Sequence, residues 1–115
     1  MKRSQSVSPG DVFAAVGDPT RRRVLDLLTR GELPVRRIAE PFAMTRPAIS
    51  QHLRILLRAR LVEVRREGRD RYYRLHAKPL RQVHDWVGHY ERFWRGKLTA
   101  LGKFLDEQAK KEPQR

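Results

Sequence analysis

TRPAISQHLRILLR, residues 45–58, starts with threonine, arginine and proline, and then places Ile49, Leu53 and Leu56 at i, i+4 and i+7. Threonine is a good helix N-cap. Proline in the first turn gives up only an N–H that has no partner there. The spacing predicts a helix over 46–58 with those three apolar residues turned into a core. Its outward positions are then Arg46, Pro47, Ala48, Ser50, Gln51 and Arg54.

Upstream, 35–40 predicts a short helix with Ile38 and Ala39 inward. Pro41 ends it, and Phe42, Ala43 and Met44 make a tight turn. Two short helices joined in this way form a helix-turn-helix. Before them, Asp18–Pro19 signals another helix start. That helix carries Val24, Leu25 and Leu28 on one face and closes at Gly31. A first short helix over 11–16 puts Val12, Phe13 and Val16 on one stripe, and Gly17 ends it.

Downstream of Leu61 the period changes to two. Val62 and Val64 alternate with Glu63 and Arg65, Glu67–Asp70 forms a turn, and Tyr73 and Leu75 alternate with Tyr72 and Arg74. Appended to a helix-turn-helix, this β-hairpin is a wing. The fold class expected is therefore mainly α with a small β-hairpin wing, a winged helix-turn-helix of four helices, two strands and a last helix. Arg65, Arg66, Arg69 and Arg71 cluster on the wing with Arg74, which favours DNA contact over a plain ribbon with solvated charges.

From Pro79 the apolar spacing predicts one long helix to Gln108, about 45 Å of it at 1.5 Å per residue. Val83, Val87, Tyr90, Trp94, Leu98, Leu101 and Leu105 step by three and four, and Trp86, Phe93 and Phe104 widen the stripe. Val83 and Trp86 suit the chain's own core. The remainder suits a homodimer, with Val12, Phe13, Val16, Val87, Tyr90, Trp94, Leu98, Leu101 and Leu105 at the interface. One domain over 11–108 is expected, with a polar tail over 1–10 and a frayed end over 109–115.

The 115 residues carry a formal net charge of +13, with 34% charged and no cysteine. Such a field favours a polyanion, either nucleic acid or an anionic membrane surface. The basic residues do not flank a single amphipathic stripe, which argues against the membrane. Lack of cysteine excludes disulfides, thiol nucleophiles and thiolate metal sites. MKRSQSVSPGD has no apolar run behind its basic residues, so it is not expected to be a signal peptide, and the chain is expected in the cytoplasm, with the nucleoid. No Gly-rich phosphate loop or nucleophile motif suggests an enzyme, and no cofactor is expected.

A recognition helix enters the major groove by its N-terminal half. Arg46 can grip guanine O6 and N7, Gln51 can do the same for adenine, and Pro47 or Ala48 can touch a thymine methyl. Ser50 and Arg54 suit phosphate or mixed contacts, and His52 suits packing or phosphate. Arg21, Arg22, Arg23, Arg36 and Arg37 are positioning contacts at most, since phosphates carry no sequence information.

GDPTRRRVLDLL, TRPAISQHLRIL, ARLVEVRREGRDRYYRL and the long last helix, in this order, resemble the ArsR/SmtB family of bacterial winged-helix repressors. The resemblance spans about 12–105 and implies a homodimer that binds operator DNA, commonly represses transcription and releases when an effector binds. Its founding metal sensors carry a cysteine pair in a segment like ELCVC; here Glu32–Leu33–Pro34–Val35–Arg36 stands there, so that site is absent. Another subgroup holds zinc or nickel along the last helix. His84, Asp85, His89 and Glu91 lie nearby, but histidines five apart do not share a helical face, and no metal is expected. Arg60 stands where the family carries a glycine in AGLV, a position that wants φ > 0.

Two alternatives remain: a basic RNA- or ribosome-binding winged helix, and a histidine-based metal-responsive repressor. RNA readers stack exposed aromatics on unpaired bases, whereas these aromatics lie on the C-terminal seam.

Overall fold

The structure, a computed structural model, describes residues 9–111, and among them the side chains of 11–97 and 100–109. The tails expected over 1–10 and 109–115 lie mostly outside this range. Pro9 and Gly10, however, already belong to the first helix, and 109–111 to the last. The described residues divide into two compact units, one up to Val83 and one from His84, where the sequence predicts a single domain. None of the described side chains from His84 onward is buried, so the second unit has no core of its own.

The first unit runs α1 (Pro9–Val16), α2 (Pro19–Leu27), a 3-10 turn (Leu28–Arg30), β1 (Leu33–Pro34), α3 (Val35–Ala39), α4 (Arg46–Arg58), β2 (Val62–Glu67), β3 (Asp70–Leu75) and a second 3-10 turn (Lys78–Leu80). Both expected caps form. Asp18 Oδ2 accepts from the Arg21 N–H at 3.1 Å, with Pro19 in the first turn of α2. Thr45 Oγ1 accepts from the Ala48 N–H at 3.2 Å at the start of α4. Each cap satisfies a donor that the helix itself cannot.

Ile49, Leu53 and Leu56 of α4 are fully buried with Val24, Leu28, Ile38 and Leu61. α4 packs on α1, α2, α3 and β2, so its inner face is fixed from four sides. At its end the Arg60 N–H donates to Leu57 O at 3.0 Å and the Leu61 N–H to Leu56 O at 3.0 Å. That is a Schellman closure with Arg60 at C′, and Arg60 has φ 60°. Arginine thus keeps the left-handed conformation that a glycine would adopt without strain.

β2 and β3 form the expected hairpin in antiparallel register, Val62 opposite Leu75 and Glu67 opposite Asp70, with Gly68 at φ 64° in the turn. The sheet has a third strand that the sequence reading lacks. β1 pairs with β3 through Leu33–Tyr73 and Pro34–Tyr72, giving the order β1-β3-β2. Two residues are too short to show an alternation, and Pro34 fits because β1 is an edge strand.

In the second unit the single helix predicted over 79–108 is corrected to two. α5 (Arg81–Gly88) begins at the last residues of the first unit and ends at Gly88, and α6 (Glu91–Lys111) follows. At the break the N–H groups of His89 and Tyr90 donate to Trp86 O and Val87 O, three residues back, at 3.1 and 2.9 Å. Glycine is a poor helix former, and apolar spacing that continues across it hides the break from sequence. Trp86 and Tyr90 meet edge to face at 5.5 Å, and Tyr90 lies 6.2 Å from Phe93.

Candidate nucleic-acid interface

With Ile49 and Leu53 anchored, α4 leaves Arg46, Pro47, Gln51 and Arg54 exposed and Ala48 and Ser50 half-buried. Gln51 Oε1 accepts from Arg54 Nη2 at 2.7 Å, one turn along the same face. The start of α4 meets the wing tip and α3 around an open cleft of about 480 Å³, lined by Arg36, Arg46, Pro47, Ser50, Arg69 and Arg71 among others. Asp70 is its acidic member, and Arg36 Nη1 pairs with Asp70 Oδ1 at 3.3 Å. Among the described residues no carboxylate lies within ion-pair distance of Arg46, Arg66, Arg69 or Arg71. Their charge is thus open to an outside anion.

Arg65 is placed differently. Its Nε and Nη2 hold Glu32 at 3.0 and 2.6 Å, its Nη1 meets Glu67, and its guanidinium lies 4.7 Å over the Tyr72 ring. Hydrogen bonding from Arg65 keeps the Glu32 carboxyl below its ordinary pKa, and Glu32 and Glu67 in turn raise that of Arg65. Arg74 pairs with Glu63 across the hairpin at 2.6 Å.

The arginine triplet of α2 also works within the chain. Arg21 donates from Nε to Ala15 O at 2.9 Å and from Nη2 to Ala14 O at 3.0 Å, and Arg22 Nη1 donates to Val16 O at 2.7 Å. Both close the C-terminal carbonyls of α1. Arg23 stacks 4.5 Å over Phe42. Arg37 lies 3.5 Å from Glu40. His52, mostly buried, faces Arg21 and Asp18. Apart from the Arg37–Glu40 pair, which is i,i+3 on α3 and its cap, none of these contacts carries a local sequence signal, because their partners lie on other elements.

Of the residues expected at a dimer interface, Val12 is corrected: it is fully buried in the core of its own chain and has no surface to offer. Phe13, Val16 and Val87 are half-buried, while Tyr90, Trp94, Leu101 and Leu105 are 40–55% exposed. The Leu98 side chain lies outside the described ones. Val83 packs on the core as expected, whereas Trp86 keeps half its surface exposed. His84 is 3.4 Å from Asp85, and no group of three or more metal-binding side chains occurs among the described residues. No described helix is long and apolar enough to cross a membrane.

Residues 18–64, from the Asp18 cap through α4 into β2, match the model of the bacterial regulatory protein arsR family. The chain is 42% identical over 77 residues to the transcriptional repressor SdpR of Bacillus subtilis (strain 168), covering 67% of this chain and 86% of that one. The chain belongs to the ArsR family. It is also 36% identical over 101 residues to the HTH-type transcriptional regulator Rv2034 of Mycobacterium tuberculosis, covering 88% of this chain and 92% of the relative. A solved homodimeric winged helix-turn-helix DNA-binding domain from Mycobacterium bovis, a possible ArsR-family regulator, superposes with a TM-score of 0.59 at 33% identity. That match covers 75% of this chain and 82% of the other. This ArsR-family chain is a DNA-binding transcriptional regulator with a winged helix-turn-helix fold, not an enzyme.

Proposed function

We propose that this ArsR-family regulator is a repressor that binds a two-fold symmetric operator as a homodimer. The observation that carries the reading is the convergence of Arg46, Arg69 and Arg71 on one cleft, with no carboxylate of the described residues paired to them. Arg46 and Gln51 read base edges in the major groove, Pro47 and Ala48 touch thymine methyls, and Ser50 and Arg54 hold phosphates. Arg66, Arg69 and Arg71 contact the backbone beside the wing. Arg65, already engaged by Glu32 and Glu67, braces the wing instead of contacting DNA.

The exposed aromatic side chains of the last two helices support pairing with a second copy through Val87, Tyr90, Trp94, Leu98, Leu101 and Leu105, and Phe13 and Val16 of α1 are further residues of the proposed interface. Large apolar side chains grouped on an exposed surface mark an interaction site. The homodimeric relative and the repressor relative point the same way. In the dimer the two α4 helices sit about 34 Å apart, on successive turns of one duplex face. With no cysteine in the chain, no thiolate metal site controls release.

Sedimentation equilibrium together with footprinting of a duplex selected from a random library tests this. The expected result is two chains per duplex, protecting two segments about one helical turn apart. A single chain protecting one segment overturns it.

A further inference from the structure

Arg21 uses its whole guanidinium at the junction of three helices. Nε and Nη2 grip the carbonyls of Ala15 and Ala14 at the end of α1, and Nη1 points at His52 Nδ1 of α4 from 3.2 Å. The Arg21 backbone N–H meanwhile holds the Asp18 carboxylate, which stands 3.9 Å from the same imidazole nitrogen. Among the described residues these two are the charged groups within such reach of the ring. A guanidinium can only donate, so a hydrogen bond here requires Nδ1 as the acceptor and the ring proton on Nε2.

Apolar packing of Ile49, Leu53 and Leu56 holds α4 on the core, but it is not directional. The Arg21–His52 hydrogen bond is directional, and it lies at the middle of α4, next to Gln51. We propose that Arg21 and His52 form a positioning joint fixing the roll and height of α4 against the end of α1, so that sequence discrimination rather than bare DNA affinity depends on it. Base-edge contacts need a bidentate fit, whereas phosphate contacts from the wing tolerate a small rotation. The inference rests on the reading of α4 as the helix that faces bases.

The test uses the full chain, a duplex selected from a random library by the wild-type protein, and an unrelated duplex of equal length. His52→Leu and Arg21→Lys should each lower the ratio of the two affinities by roughly tenfold. Affinity for the unrelated duplex should stay within about twofold, because its phosphate contacts persist. His52→Asn, whose amide oxygen can stand where Nδ1 does, should restore most of the ratio. Long-range proton–nitrogen spectra should show the wild-type ring protonated at Nε2. Should His52→Leu fail to fold, the contrast between Arg21→Lys and His52→Asn carries the test.

Arg46→Ala, run alongside, separates this joint from the reading beneath it. If Arg46→Ala lowers the ratio and the His52→Leu and Arg21→Lys variants do not, the joint is overturned and α4 remains the reading helix. If Arg46→Ala leaves the ratio intact, the reading of α4 fails and the joint falls with it. An asparagine variant as impaired as the leucine one, or a ring protonated at Nδ1, also overturns the joint.

Discussion

Arg65 on β2 and Glu32 just before β1, thirty-three residues apart in sequence, meet as a fork: Nη2 and Nε of the arginine lie 2.6 and 3.0 Å from one carboxylate oxygen, and Nε lies 3.2 Å from the other. Glu67 and the face of Tyr72 hold the same guanidinium from the other sides. An isolated surface pair contributes little to stability, but a forked pair in a network restricts geometry. The contact ties the wing to the segment that leads into α3.

That arrangement divides the wing arginines by role. Arg69→Ala should weaken DNA binding and reduce the salt slope by about one counterion. Arg65→Ala should weaken binding with the slope unchanged, and Glu32→Gln should mimic it. Titrations of affinity against salt concentration check this. If Glu32→Gln instead tightens binding, the freed Arg65 is a phosphate contact.

Arg60 holds φ 60° at the C′ position of α4, where an L side chain crowds its own carbonyl. Arg60→Gly should raise stability by about 0.5–1 kcal/mol, the relief of left-handed strain less the extra chain entropy of glycine. Urea denaturation with an unchanged m-value measures it. A loss of stability would mean that the arginine side chain contributes more than its backbone costs.

The Arg21 N–H, opposed by partial burial and aided by the Arg21 charge, holds the Asp18 carboxyl below its ordinary value of 3.8. A depressed folded-state pKa contributes stability above the unfolded value, and this is lost as pH falls through the folded one. Asp18→Ala should cost about 1 kcal/mol at neutral pH, whereas Asp18→Asn keeps a cap and should lose little. Acid titration of stability should be shallower in Asp18→Asn than in the parent. Parallel acid limbs would contradict the assignment.

Trp94 is 40% exposed and Leu101 51% exposed on α6. Leu101→Glu should shift sedimentation from dimer to monomer at micromolar protein and make the melting temperature independent of concentration. A persistent dimer would move the interface to another face.

Much of this architecture is legible in the chain because single residues announce it. Asp18 and Thr45 mark helix starts, Ile49, Leu53 and Leu56 fix the inner face of α4, and Gly68 marks the wing turn. What stays hidden depends on partners distant in sequence or on very short elements. Pro34 in a two-residue strand shows no alternation. Gly88 breaks a helix whose apolar spacing runs on without a gap. Val12 shares its stripe with Phe13, and only packing reveals that it is the buried one. Arg21, Arg22 and Arg65 look like free charge in the sequence, and only the fold supplies the carbonyls and carboxylates that engage them.

The most direct measurement uses the absence of cysteine, which allows one introduced thiol to report alone. Ser50→Cys on α4 and Asp106→Cys on α6, each carrying a tethered iron chelate, would be compared for cleavage of the selected duplex. Cleavage from position 50 is expected at two tight loci about one helical turn apart, each centred in the major groove, with only background from position 106. Diffuse cleavage from position 50, or stronger cleavage from position 106, would contradict the placement of α4 against DNA.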